Sequence, residues 1–155
     1  MTRPREFDAE EAAVWQAYLD LFRGLRSALD RQLLRDSGLS AADYALLAPL
    51  SETDGGVLRA RDLGRRVGWE RSRLSHQITR MERRGLVCRE RCGDDQRGYM
   101  VQLTEAGLTA IEAARPQHLE TVRRYFFEPL SRDEQQTLRR LLDMMNSRLD
   151  DDGVR

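Results

Sequence analysis

The sequence predicts a mainly α protein: a winged helix-turn-helix core with a β-hairpin wing, flanked by N- and C-terminal dimerisation helices. Three observations carry this expectation. Apolar residues recur at three- and four-residue steps along most of the 155-residue chain, the mark of amphipathic helices. The period changes after Gly85, where two extended runs flank a tip rich in turn formers. Before that change, a short helix, a turn and a second helix follow one another, the order in which the second helix enters a DNA major groove.

The elements follow in order. The first helix spans 8–35, because Val14, Trp15, Tyr18, Leu21, Phe22, Leu25, Leu29 and Leu33 hold helical spacing, and Gly38 ends it. Ser40 is a good N-cap for the second helix, with Asp43 at the capping-box position in place of the usual Glu or Gln. That helix stops in the turn Asp54-Gly55-Gly56. A short helix over 60–67 is closed by Gly68, and the stretch WERSRLSHQITRMERRGLV supplies the next helix, closed by Gly85. LVCRERC and YMVQLT, on either side of GDDQRG, form the hairpin. Thr104 caps a helix that reaches about Phe127, with a kink expected near Pro116. Ser131 and Glu134 make a capping box for the last helix, whose stripe is Leu138, Leu141, Leu142, Met145 and Leu149. The tail DDGVR should fray.

This order divides the chain into a helical dimerisation region, 8–36 with 104–150, and a winged lobe, 40–103. The flanking helices carry more apolar surface than the small lobe can cover. Two copies packed about a two-fold axis would cover it.

Charge points to the lobe as well. The net charge is zero, yet between Arg59 and Arg97 twelve arginines face six acids, a net +6 that leaves −6 for the remainder. A polyanion-binding module inside a balanced protein has this distribution. On the second helix of the turn, Leu74, Ile78 and Met81 form the stripe fit for burial. The residues assigned to DNA there are Ser72, Arg73, Ser75, His76, Gln77, Arg80 and Arg83, with Thr79 on the same open side. Arginine bonds guanine O6 and N7 in a bidentate manner, and Ser or His reaches base edges or phosphates. Those nearest the N-terminus, Ser72, Arg73 and His76, should reach deepest, while Arg80 and Arg83 suit phosphates. The wing adds Arg89, Arg91, Asp95 and Arg97, with Arg97 able to enter a narrow minor groove while Asp95 holds its guanidinium.

ARDLGRRVGWERSRLSHQITRMERRGLV, followed by DDQRGYMVQLTEAG, resembles the MarR family of bacterial transcription regulators. The matching parts are the helix pair, the GLV-x-R approach to the wing, the D-x-R at its tip and the L-T-x-A-G exit. The resemblance implies a homodimer on a near-palindromic operator of double-stranded DNA, with 72–84 as recognition helix and Arg97 as minor-groove arginine. No enzyme activity and no cofactor are expected. The resemblance also implies a repressor that releases DNA on binding a small aromatic or phenolic effector. Gln96 stands where many members carry a second Arg, and His76 where Arg is frequent. In the family the effector lies between the dimerisation helices and the DNA-binding lobe, where Trp15, Tyr18, Phe22 and Tyr44 would line the pocket. Aromatic groups at this spacing are more often the mark of plain core.

Other chemistry is poorly provided for. Cys88 and Cys92 share one face of the first wing strand, beside Arg89 and Arg91, which would lower a thiol pKa. A thiol-based redox regulator is therefore an alternative. Residues i and i+4 of a strand lie roughly 13 Å apart, too far for a disulfide within the chain. A winged-helix module that binds protein rather than DNA is a second alternative. His76 and His118 are the only histidines, so a metal site would have to be carboxylate-rich or shared between chains, and no metal ligand is assigned. No paired carboxylates in an apolar frame and no Gly-rich phosphate loop favour an enzyme. No apolar run approaches the roughly 20 residues that span a bilayer, and the charged N-terminus lacks a signal segment, so the expected location is the cytoplasm.

Overall fold

The computed structural model describes residues 6–91 and 98–153. Helix α1 (Ala9–Ser37) opens with a capping box in which Asp8 accepts from the Glu11 N–H and Glu11 accepts from that of Asp8. It closes at Gly38, whose φ of 68° is the left-handed conformation that glycine adopts without strain. Helix α2 (Ala41–Ser51) follows the Ser40 cap, and the short Asp43 side chain completes the box as Glu would. A turn at Asp54–Gly56 leads to strand β1 (Val57–Arg59), then helices α3 (Ala60–Val67) and α4 (Arg71–Arg83). Strands β2 (Val87–Arg91) and β3 (Tyr99–Leu103) form the wing hairpin, and helices α5 (Glu105–Val122) and α6 (Arg132–Asp151) complete the chain.

Two features lie outside the expectation, a third strand and a π turn. Strand β1 was not anticipated. It pairs antiparallel with β3, so the wing is a three-stranded sheet in the order β1-β3-β2. Three residues are too few to show a two-residue period, so the sequence carries no signal for it. Pro116 lies inside a continuous α5 and does not divide it. The irregularity comes later, where Arg123–Phe127 forms a π turn and the Glu128 N–H bonds the Arg123 carbonyl at 2.9 Å.

The core belongs to the lobe. Leu46, Leu47 and Leu50 of α2 meet Leu63 of α3, Leu74, Ile78 and Met81 of α4, Val101 of β3 and Ile111 of α5, all buried. Helix α1 adds only Leu33 from its last turns. Helix α5 docks through a close approach at Gly107, where a Cβ would fall 2.0 Å from the Leu86 carbonyl oxygen. The Thr104 hydroxyl donates to the Gly85 carbonyl at 2.6 Å and accepts from the Gly107 N–H at 3.0 Å. The L-T-x-A-G stretch is thus the joint between wing and helix.

The far ends of the molecule are apolar and open. Val14, Trp15, Tyr18, Leu21 and Phe22 of α1 are exposed, as are Met144, Met145 and Leu149 of α6. Helix α6 buries no residue within the protomer.

Candidate nucleic-acid interface

Helix α4 is fixed by its inner stripe and offers what remains. Leu74, Ile78 and Met81 are buried as their spacing predicted. Ser72, Arg73, His76, Arg80 and Arg83 face solvent, with Ser75 and Thr79 half-buried beside them. The Arg73 guanidinium lies 4.0 Å above the Trp69 ring, a cation–π stack that limits its freedom before any ligand arrives. The Ser72 hydroxyl donates to the carboxylate of Glu70, the N-cap residue of the helix.

Beside the head of α4 an open cleft of about 1050 Å³ runs between α3 and the sheet. Arg61, Arg65, Arg66 and Arg71 line it with Trp69 and Tyr99. Asp62 stands 3.6 Å from both Arg61 and Arg65, exposed pairs that contribute little and leave the cleft basic. Four of the twelve arginines that raise the charge of this segment therefore gather on the side where α4 begins.

Two residues assigned to DNA from sequence turn the other way. Gln77 is buried, and its amide donates to Asp43 at 2.7 Å. At three residues from Leu74 and four from Met81 it belongs to the inner stripe, where a polar side chain is retained only with a partner. Arg89 pairs with Val101 across β2 and β3, which places it on the core side of the sheet. Its guanidinium donates to Glu82 at 2.8 Å, to the Ser75 carbonyl at 2.9 Å and to the Thr79 hydroxyl at 2.8 Å, and it lies 5.0 Å from the Tyr99 ring. Arg89 ties the wing to α4 through both terminal nitrogens of its guanidinium, while its buried Nε meets no acceptor among the described residues. The Arg91 side chain, and Cys92, Asp95 and Arg97 entirely, lie outside the described residues. Cys88 is a free, half-buried thiol on β2.

Sequence reasoning missed the residue that orients α4. Asp43 is 1% exposed. It accepts from the Ser40 N–H at 2.8 Å, the Gln77 amide at 2.7 Å and Arg84 Nη1 at 2.6 Å. Arg84 Nη2 also donates to the Gly38 carbonyl at 3.1 Å. One carboxylate thus joins the end of α1, the start of α2, and the middle and end of α4. The only available signal was Asp in place of Glu or Gln at the capping-box position.

The four aromatic residues assigned to an effector do not converge. Trp15, Tyr18 and Phe22 stack in a row on α1, with centroids 5.3 and 6.3 Å apart. Tyr44 instead packs on His118 of α5, ring centroids 3.9 Å apart. Arg115 lies beside this pair and donates to the Ser51 hydroxyl at 2.6 Å. Burial pushes the Tyr44 hydroxyl above its ordinary pKa against the opposing pull of Arg115, and pushes the His118 imidazole below its own. His118 Nδ1 is buried with no hydrogen-bond partner among the described residues. Among those residues no group of three or more His, Cys, Asp or Glu is placed to hold a metal, and no helix is long and apolar enough to cross a membrane.

Comparison with known proteins places this geometry. The model of the MarR family matches residues 37–98. AbsC, a MarR-family transcriptional regulator from Streptomyces coelicolor, is 37% identical over 94% of this chain and 98% of its own, with a TM-score of 0.87. Sco3205, a MarR-family regulator from the same organism crystallised in complex with DNA, is 36% identical over 96% of this chain and 93% of its own, with a TM-score of 0.89. NadR, crystallised with 4-hydroxyphenylacetate, is 25% identical over 94% of this chain and 97% of its own, with a TM-score of 0.58.

Proposed function

The chain belongs to the MarR family of transcription regulators, and on that premise we propose that it is a repressor that binds a near-palindromic operator as a homodimer and leaves it on binding a small aromatic effector. The observation that carries the DNA reading is the division of α4. Its inner stripe is locked into the core, and its outer face presents Ser72, Arg73, His76, Arg80 and Arg83 beside an arginine-lined cleft. Arg73 and His76 meet base edges, while Arg80, Arg83 and the cleft arginines follow phosphates. Arg97 on the wing enters the flanking minor groove.

The dimer reading rests on the open apolar faces of α1 and α6, which are larger than a lone protomer would leave in water. The two-fold axis then sets two copies of α4 about one helical turn of DNA apart. The effector reading has one source of support: NadR holds 4-hydroxyphenylacetate in a related fold. On this chain the stacked row Trp15, Tyr18 and Phe22, closed by the partner copy, offers the aromatic surface, with Tyr44 placed apart from it against α5.

Selection of bound duplexes from a random pool, followed by sedimentation of the winning complex, tests this reading. The expected result is an inverted repeat carrying two chains per duplex, with affinity falling steeply as salt rises. A stable monomer at micromolar concentration, or a pool with no enriched sequence, would contradict it.

A further inference from the structure

The C-terminal end of α4 is gripped from two sides. Arg84, the C-cap residue, donates through Nη1 to Asp43 at 2.6 Å and through Nη2 to the Gly38 carbonyl at 3.1 Å. One guanidinium thus spans the start of α2 and the cap that closes α1. The next two residues meet α5. The Gly85 carbonyl accepts from the Thr104 hydroxyl at 2.6 Å, and the Leu86 carbonyl accepts from the Thr104 N–H at 3.2 Å, at the close approach to Gly107. The chain between α1 and α2 has little slack either. Gly38, Leu39 and Ser40 separate the two helices, Leu39 is buried, and Asp30 of α1 accepts from the Ala41 N–H at 2.8 Å.

Arg84 adds more to position than to stability. Its side chain is 44% exposed, and an ion pair that open to water contributes little. Its terminal nitrogens turn to α1 and α2, whereas the neighbouring Arg83 faces solvent. A planar fork bonded to two elements fixes an angle between them, which a point charge does not do. Here the fork sets α4, which presents Arg73 and His76, against α1, which carries the open apolar face.

That angle matters on a two-fold operator. One extra base pair between half-sites moves them roughly 3.4 Å apart and turns one against the other by roughly 35°. Each lobe of a dimer must take up half of this by turning on its own α1. The Gly38 contact at 3.1 Å fails as a hydrogen bond after about 0.5 Å of stretch, so the lobe cannot turn that far while Arg84 holds.

We propose that Arg84, held by Asp43, is a specificity-determining residue for the spacing between operator half-sites. The inference rests on the homodimer and inverted-repeat reading above. It assigns spacing, as distinct from base sequence, to a residue that touches no DNA.

The operator recovered by selection would be rebuilt at its selected spacing and at one base pair more and fewer, and each duplex titrated with the full chain. The parent should lose at least about tenfold in affinity at either altered spacing, the size of one mismatched base pair. Arg84→Met should bind all the spacings within about threefold of one another. So should the double variant Asp43→Asn with Arg84→Met, in which no buried charge is left unpaired. In both, a base change inside a half-site should cost as much as it does in the parent. Arg84→Lys returns a cation to Asp43 without the fork that also reaches Gly38, so it should recover the parent's Tm but not its spacing preference. An unchanged spacing profile in the Met variants would overturn the proposal. So would a matching loss of base preference, or a spacing preference that returns with stability in Arg84→Lys. A parent indifferent to spacing on an inverted repeat overturns it too and leaves the regulator reading standing, whereas a parent that selects no inverted repeat defeats that reading and the proposal with it.

Discussion

Asp43→Ala is the perturbation whose cost the structure lets us work out most fully. The carboxylate is 1% exposed and accepts three hydrogen bonds, so its removal strands three donors. The Gln77 amide is buried and cannot turn to water, a loss of about 1–3 kcal/mol. The Ser40 N–H loses its half of the capping box, about 1 kcal/mol. The Arg84 side chain is 44% exposed and can swing outward, so its share is discounted to about 0–1 kcal/mol. The total is roughly 2–5 kcal/mol, or about 5–15 °C in Tm for a chain of this size. Urea unfolding at fixed protein concentration, with the slope checked for constancy, measures it. A second substitution, Gln77→Leu, made in the Asp43→Ala background should cost less than in the parent, because the stranded amide is then gone, with a coupling of about 0.5–3 kcal/mol. A loss under 1 kcal/mol, or two effects that simply add, would refute the view that Asp43 joins α1, α2 and α4.

Other consequences concern the wing joint, the half-buried histidine and the far helices. Gly107→Ala drives a Cβ to 2.0 Å from the Leu86 carbonyl oxygen, so it should destabilise by about 3 kcal/mol or more and lower the unfolding midpoint, whereas Gly24→Ala, with nothing within 4 Å, should not lower it. Burial holds the His118 pKa below its ordinary value of about 6.5, so on acidification the unfolded chain takes up a proton that the native one refuses. Stability should therefore fall as pH drops below about 6.5, stay level with respect to this group above it, and lose that slope in His118→Gln; Tm measured from pH 5 to 8 in parent and variant checks the sign. Truncation before Ser131 removes α6 and its exposed Met144, Met145 and Leu149, and sedimentation should then show aggregation or weak self-association in place of a defined dimer.

The helices were legible in the sequence because their caps and stripes are local. Asp8, Ser40, Thr104 and Ser131 cap helices in the structure, and Gly38 and Gly68 take the left-handed conformation that ends α1 and α3. Three-residue β1 was not legible, since its pairing with β3 is set by residues more than forty positions away. The site divided along the same line. Helical spacing places Arg73, His76, Arg80 and Arg83 outside, and the structure leaves them there. Gln77 and Arg89 turn inward against the sequence reading, because a polar side chain reads as surface until its distant partner, Asp43 or Glu82, is seen. Tyr44 parted from the α1 aromatics for a similar reason, because its neighbour His118 comes from α5.

The central claim is that the outer face of α4 reads DNA, and the sharpest test compares Arg73 with Arg83. Arg73 stands on the first half of α4, held over Trp69 at 4.0 Å, the half that would meet base edges if α4 lies in the major groove. Arg83 ends the helix, exposed, where phosphates are the nearer partner. Each Ala variant would be titrated against the selected operator and a random duplex at several salt concentrations. Arg73→Ala should lose roughly 1–3 kcal/mol on the operator and much less on random DNA. Arg83→Ala should weaken both duplexes alike and reduce the salt slope by about one. Both variants binding operator as the parent does would make this face ordinary solvated surface and contradict the account.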